Sequence, residues 1–442
     1  MYLCGDFWLK KYKVKNMRRV LTLIVAVVAL MACSSEEIIE VRYLASERAE
    51  AYLYAADEQG ENLTVADTLV RGAQLNVVVN GKKRFNDVEY LPVKVEKQTL
   101  YAPLSSLVAT HREVVQEKSI FVRTPASIIS EIATSKVGAN ADKGAELEVI
   151  GYDTLYNTGR VNRYIVRQGN TEGYIYAKYT VFDKEEALKR YKAEVYDKVH
   201  KAIKNPFGGG EAIGCDFYPT ERVEFANNKM PEACYSLYLN FSPKVIGNIE
   251  SYIEFAKKTK INTFVLDIKD NECPGFKAEA MQKYSPTNYR YAGSKKEAMY
   301  KTAVKRLHEE GFYVVGRITC FKDSHLVKDH PNVAITEKAT GKPFKHNKAY
   351  WPSPYERQVW QFNVELAKEA VRKFGFNEIN FDYVRFPDRM TKVEKLIDYH
   401  NKYNESKVQA IQRFVQYACD EIHAEGAYVS IDVFGEAANP GY

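Results

Sequence analysis

At 442 residues the chain exceeds one ordinary domain, so two or three folding units are expected. A hydrophobic content of 45% with 13% aromatics is enough for packed cores and excludes a disordered chain. The formal charge of +6 gathers at the start: within residues 1–32, six basic side chains (Lys10, Lys11, Lys13, Lys15, Arg18, Arg19) face only Asp6, a net +5, which leaves +1 for the rest and no electrostatic case for nucleic acid.

The first segment is a leader. "MRRVLTLIVAVVALMACSSEE" opens at Met17 with two arginines, continues as an apolar run from Val20 to Met31, and ends in Ala32-Cys33. The run is too short to span a bilayer and reads as a secretory signal, with residues 1–16 an over-extended start and Met17 the initiator. "LMAC" resembles a bacterial lipobox. That resemblance implies a lipidated Cys33, a membrane anchor and a location in the cell envelope, each buried CH₂ of the lipid contributing about 0.8 kcal/mol. Residues 33–47 are then a polar tether. Of the seven cysteines, Cys215, Cys234, Cys273, Cys320 and Cys419 remain in the mature chain. Their odd number and scattered spacing suggest neither a disulfide framework nor a zinc site, and Cys234 and Cys320 read as buried thiols in apolar runs.

Residues 48–182 read as short β segments with an internal echo. "RGAQLNVVVNGKK" (71–83) parallels "KGAELEVIGYDTL" (143–155), and "LPVKVEKQTLYAPLSSLV" (91–108) parallels "YIVRQGNTEGYIYAKYTV" (164–181). Two copies of one small β module, 48–115 and 116–182, are expected. The second copy, through "FVRTPAS", "KGAELEVIG" and "EGYIYAKYTV", resembles bacterial SH3-like domains. The resemblance implies a small β-barrel that either binds cell-wall peptides or acts as a spacer. A linker helix is predicted over 183–204, ended by "NPFGGG".

From residue 205 to 442 the pattern changes to alternating strands and amphipathic helices: strand runs "CYSLYLNF", "INTFVLDIKD", "YVVGRITCF", "EINFDYVRFP" and "AYVSIDVFG" with helices between them. That is a parallel sheet with right-handed crossovers. Each strand carries a polar pair two residues apart near its C-terminal end: Tyr238 and Asn240, Asp267 and Lys269, Arg317 and Thr319, Asn380 and Asp382, Ser430 and Asp432. Buried under helices, such a face would be costly; at the mouth of a (β/α)8 barrel it would be a site. A TIM barrel is therefore expected, truncated after about five strands, its fragment unstable alone because strand five would be an open apolar edge.

Asp382 and Asp432 lie on strands expected to be neighbours, ~4.8 Å apart. Facing carboxylates could approach the ~5–5.5 Å of a retaining glycosidase pair. Asp267 on the second strand is a third candidate and Glu436, just past the fifth strand, a fourth, and Arg317, Arg385 and Lys269 could hold Asp382 ionised. Residues 234–442 then resemble a bacterial glycosyl hydrolase domain family related to alpha-amylase-like barrels, through "TFVLDIKD", "HEEGFYVVGRITCFKD", "HPNVAI", "FNEINFDYVRFP" and "SIDVFG". The resemblance implies hydrolysis of a polysaccharide, with Asp382 as nucleophile and Asp432 or Glu436 as proton donor. Substrate contacts would come from Asn240, Asp267, Lys269, Arg317, Asn380, Arg385 and Trp351. The family's W-x-D-P is "WPSP" here, with Ser353 in place of the acid. No cofactor motif is present, and His325, His330 and His346 lack the spacing of a metal site. The alternative is a non-catalytic lipoprotein that binds glycan or cell wall.

Overall fold

The structure is a computed structural model that describes residues 36–133, 136–192, 216, 218, 220, 222–271 and 273–433. It comprises an all-β N-terminal region of antiparallel sheets and a distinct C-terminal α/β domain. Cys33, Cys215 and Glu436 lie outside the described residues. Among those described, no helix is long and apolar enough to cross a membrane.

The echo in the sequence corresponds to a repeat in topology. The strand Ile39–Leu44 pairs with Gln74–Val78 on one side and with the short closing strand Leu107–Val108 on the other. In the second unit Ser119–Val122 pairs in the same way with Glu146–Tyr152 and Thr180–Val181. The remaining strands follow the same order in both sheets, and the first adds one short strand, Lys83–Phe85. Each closing strand is preceded by a single 3-10 turn, Leu104–Ser106 or Ala177–Tyr179. Alternation supplies the two cores: Leu53, Val77 and Val93 in the first, Ile120, Leu147 and Val166 in the second. The units are joined by Arg71, whose Nε donates to Gly159 O at 2.6 Å and whose Nη1 meets both oxygens of Glu117 at 2.6 and 2.7 Å. Both side chains of this ion pair are 2% exposed.

Of the predicted linker helix, the described residues hold a short first helix. It spans Lys184–Leu188, with the Asp183 side chain accepting from Glu186 N–H. Beyond it, Tyr191 N–H donates to Asp216 rather than to a helical carbonyl. Asp216 is itself held by Arg123 and Lys143, so the chain is pulled out of the helix. The rest of the predicted helix lies outside the described residues.

The C-terminal domain has five parallel strands in chain order: β1 Ser236–Leu239, β2 Thr263–Asp270, β3 Tyr313–Thr319, β4 Glu378–Asp382 and β5 Tyr428–Ile431. Each pairs with the one before it. A doubly wound sheet would reverse this order at a switch point, and none occurs. The crossovers carry α1 Ile249–Lys257, α2 Ser294–Glu309, α3 Arg357–Phe374 and α4 Lys407–His423. Helix α3 stops because Gly375 takes φ 77°, a conformation that suits a residue without Cβ, and α4 starts at a Ser406–Gln409 capping box. Phe264, Leu266, Val314, Phe362, Ile379, Phe381 and Phe414 fill the core between strands and helices. Cys320 is buried as expected, but Cys234 is exposed, because β1 begins two residues later at the sheet edge.

Two long loops follow β3 and β4, residues 320–356 and 383–406. They fold onto one another: Thr336–Glu337 pairs with Ile397–Asp398, and Ile335, Trp351, Met390 and Ile397 make a small core of their own. The second β unit meets α4, where Gln412 and Gln416 donate to Pro125 O at 2.9 and 3.1 Å and Arg413 donates to Ala126 O at 3.2 Å.

Candidate active site

The parallel register brings residues of four of the five polar pairs together. Arg317 on β3 is level with Asp267 on β2 and Asn380 on β4, and Asn380 is level with Ser430 on β5. Arg317 is the hub. Its Nη1 lies 2.6 Å from Asp267 Oδ1 and 3.3 Å from Asp270 Oδ1; its Nε and Nη2 lie 3.1 and 2.5 Å from Asp382 Oδ2. Burial works against the cation, but its hydrogen bonds to Asp267 and Asp382 outweigh it, and the pKa stands above that of an ordinary guanidinium.

Asp267 is fully buried. Its second oxygen accepts from the Tyr238 hydroxyl, and its carbonyl from the Tyr300 hydroxyl. Burial raises the Asp267 pKa, and the Tyr238 and Arg317 hydrogen bonds pull the other way without cancelling it. A carboxylate with no exposed surface cannot contact a sugar directly, so the substrate-contact expectation for Asp267 is corrected to a positioning one.

Asp382 ends β4 with its side chain 21% exposed. Its Oδ1 accepts from Tyr383 N–H at 2.5 Å, and Tyr383 turns the chain with φ 54°. A left-handed tyrosine is uncommon and is held here by its surroundings. Asp432, just past β5, is exposed and accepts from Asn380 Nδ2 at 3.2 Å; the same amide donates to Ser430 Oγ at 3.0 Å. Asn380 thus ties the two carboxylate-bearing strands together. Asn240 is exposed beyond β1, and its side chain caps Ser242 N–H at 2.9 Å.

Lys269 is not in this site. The β2–β3 register passes from Asp267↔Arg317 to Lys269↔Ile318, so Ile268 is an extra residue in β2. Such a bulge re-aims the side chain that follows. Lys269 points toward α3, with Nζ 5.7 Å from the Phe362 ring centre, 2.5 Å from Thr319 O and 3.1 Å from Asp323 Oδ2. Lys269 and Asp323 are both fully buried, which corrects the expectation that Lys269 binds substrate or holds Asp382. Trp351 is corrected likewise: it is 2% exposed, with Arg385 at 5.2 Å and Tyr383 at 5.9 Å from its ring, and offers no open face for a sugar. The loops that bury it carry no strand or helix period, so its burial was not visible in the sequence.

Arg385 lies beside Asp388, Nη1 to Oδ1 at 3.6 Å, and over the Tyr383 ring at 5.1 Å. Ser353 is fully buried, its hydroxyl donating to Tyr399 O at 2.5 Å, so the departure from W-x-D-P falls inside the loop lobe. His325 meets Asn288 at 3.0 Å and stacks on Tyr291. Among the described residues no cluster of three His, Cys, Asp or Glu side chains could hold a metal ion. Sequence reasoning missed Asp270: three residues from Asp267, it falls on the opposite face by period-two alternation, and the bulge at Ile268 brings it round to Arg317.

Residues 236–440 match the profile of a family described as "Putative glycosyl hydrolase domain". No curated protein matches the chain. Among solved structures, a hypothetical protein from Ruminiclostridium thermocellum ATCC 27405 is 31% identical, covering 45% of this chain and 98% of its own, with a TM-score of 0.39. A beta-N-acetylhexosaminidase from Bacteroides fragilis NCTC 9343 is 14% identical, covering 44% of this chain and 41% of its own, TM-score 0.32. Alpha-L-fucosidase isoenzyme 2 from Paenibacillus thiaminolyticus is 16% identical, covering 46% and 33%, TM-score 0.33. The chain spans less than half the length of these two enzymes, and likenesses of that extent carry nothing about their substrates to it.

Proposed function

The chain belongs, through residues 236–440, to a family of glycosyl hydrolase domains, and from that premise we propose a retaining glycoside hydrolase that acts on a polysaccharide at the cell envelope. Asp382 is the nucleophile. It attacks the anomeric carbon while Asp432, or Glu436 from the segment after β5, protonates the departing oxygen. The same acid then activates water to release the sugar. Arg317, Asp267 and Tyr238 position the nucleophile, and Asn380 aligns β4 with β5.

One observation carries this reading. Arg317 takes only Oδ2 of Asp382, leaving Oδ1 with a single backbone partner among the described residues. The carboxylate is oriented, while one oxygen retains a lone pair for attack. Five parallel strands in chain order suit a (β/α)8-type barrel whose mouth holds the site. The shared topology of the two β units suits SH3-like modules serving as spacers or wall-peptide binders, and the "LMAC" sequence suits lipidation at Cys33.

The test is a reducing-sugar assay of the full-length protein on a panel of glycans, beside Asp382→Asn. Release of sugar by the wild type alone supports the reading. The rival, a glycan-binding lobe without turnover, draws on the same ion pair read as purely structural. It would retard the protein in glycan affinity gels and release nothing.

A further inference from the structure

The bulge at Ile268 changes the mouth twice. It turns Lys269 away, and it brings Asp270, the last residue of β2, round to Arg317. Bulges beside reaction centres re-aim side chains in this way. Asp270 is also braced from the loop side. Asn271 takes φ 46°, its N–H donates to Thr319 Oγ1 at 2.6 Å, and its Nδ2 lies 3.4 Å from Asp270 Oδ1.

Arg317 does not depend on this third carboxyl group. Asp267 holds it at 2.6 Å and Asp382 through two hydrogen bonds, and the 3.3 Å contact with Asp270 is the longest of the four. Both contacts of Asp270 fall on Oδ1. Among the described residues its Oδ2 has no hydrogen-bond partner, and the side chain is 34% exposed where that of Asp267 is closed off. A carboxylate oxygen only accepts, so what this one lacks is a donor. Asp270 and Asp382 hydrogen-bond to the same guanidinium, which sets them within the span of one sugar ring. Charge narrows the choice of donor. Three carboxyl side chains surround one cation, and Asp432 lies one strand further on. A sugar acid brought here meets like charge, whereas sugar hydroxyls bring the missing donors.

We infer that Asp270 is a specificity-determining residue. Its Oδ2 accepts from a hydroxyl of the sugar whose anomeric carbon Asp382 attacks, and the sugar taken there is neutral, without carboxylate or sulfate. The inference rests on the reading of Asp382 as the reaction centre.

The full-length protein carrying Asp382→Asn, which on that reading binds without turnover, is titrated with cellohexaose, xylohexaose, mannohexaose, maltohexaose and N-acetylchitohexaose. Hexagalacturonate is the acidic probe. At least one neutral hexasaccharide is expected to bind about tenfold or more tighter than hexagalacturonate. Adding Asp270→Ala should weaken that binding about tenfold or more, as for a lost hydrogen bond to a charged group, with the melting temperature within a few degrees. Asp270→Asn in its place keeps an acceptor oxygen and should recover part of the binding, which a purely structural ion pair with Arg317 would not do. Preference for hexagalacturonate, no binding of any neutral probe, unchanged binding in Asp270→Ala, or a loss that Asp270→Asn does not relieve would overturn the inference. The two readings fail separately. Hydrolysis of a glycan by the otherwise unaltered protein, with KM unmoved by Asp270→Ala, sinks the specificity role and leaves the hydrolase. Asp270-dependent binding with no hydrolysis of any glycan sinks the hydrolase and leaves the sugar site.

Discussion

Arg317 grips Asp382 through one oxygen: Nε at 3.1 Å and Nη2 at 2.5 Å both reach Oδ2, while Oδ1 faces only the Tyr383 N–H among the described residues. Replacement by Asn keeps the shape and an acceptor for Arg317 but removes the nucleophile. Asp382→Asn should lower turnover on the order of 10³-fold or more while the melting temperature stays within a few degrees. Parallel loss of stability and activity would show that the carboxylate is structural, and full activity would remove it from the mechanism altogether.

Arg317→Met tests the other side of the contact. It strips the cation from Asp267, which has no exposed surface. Breaking a buried pair by deleting one partner costs about 3–5 kcal/mol, so a large fall in denaturant midpoint is expected. Asp267 already has a raised pKa through burial. A carboxyl raised in the folded state contributes stability below its unfolded pKa and loses it as pH rises through the folded value. The deficit of Arg317→Met should therefore shrink in acid. A second change, Asp267→Asn, should recover part of it at neutral pH.

Much of this was legible in the sequence because it is local. Period-two alternation fixes strand faces, and strand order follows from the repeated strand–helix–strand pattern, in which consecutive strands are usually neighbours. The repeat of the β unit survives in its turn residues and closing segments. What the sequence hid depends on single insertions and distant contacts. One extra residue, Ile268, turns Lys269 out of the polar face that its spacing implied. The burial of Trp351 depends on Met390 and Ile397 from another loop. The first helix of the linker stops at Leu188, and beyond it Tyr191 donates to Asp216, a pairing that no helical period encodes.

The proposed lipid anchor at Cys33 predicts a simple fractionation. The wild type should incorporate labelled palmitate and sediment with membranes. Cys33→Ser should do neither, since the short apolar run before it cannot span a bilayer. A Cys33→Ser protein that still fractionates with membranes would remove the lipid from the account.

The contact between the second β unit and α4 should respond to pH through Asp420. This carboxyl is 7% exposed and faces Lys178 of the β unit, with Arg163, Glu421, Tyr176 and Tyr179 around it. Burial pushes its pKa up to about 6; Lys178 opposes the shift and does not cancel it. The folded value lies above the unfolded one, so the stabilising contribution is complete below about pH 4 and lost as pH rises through about 6. Across that window the wild type should lose up to about 1.4 kcal/mol per pH unit relative to Asp420→Asn, which has no proton to release. At pH 7 the substitution should then stabilise the protein, because it removes a buried charge and leaves Lys178, itself 49% exposed, to water. Melting curves of both proteins between pH 4 and 8 decide the matter. If Asp420→Asn is the less stable protein at pH 7, the Lys178 ion pair outweighs burial and holds the two units together as a charge contact.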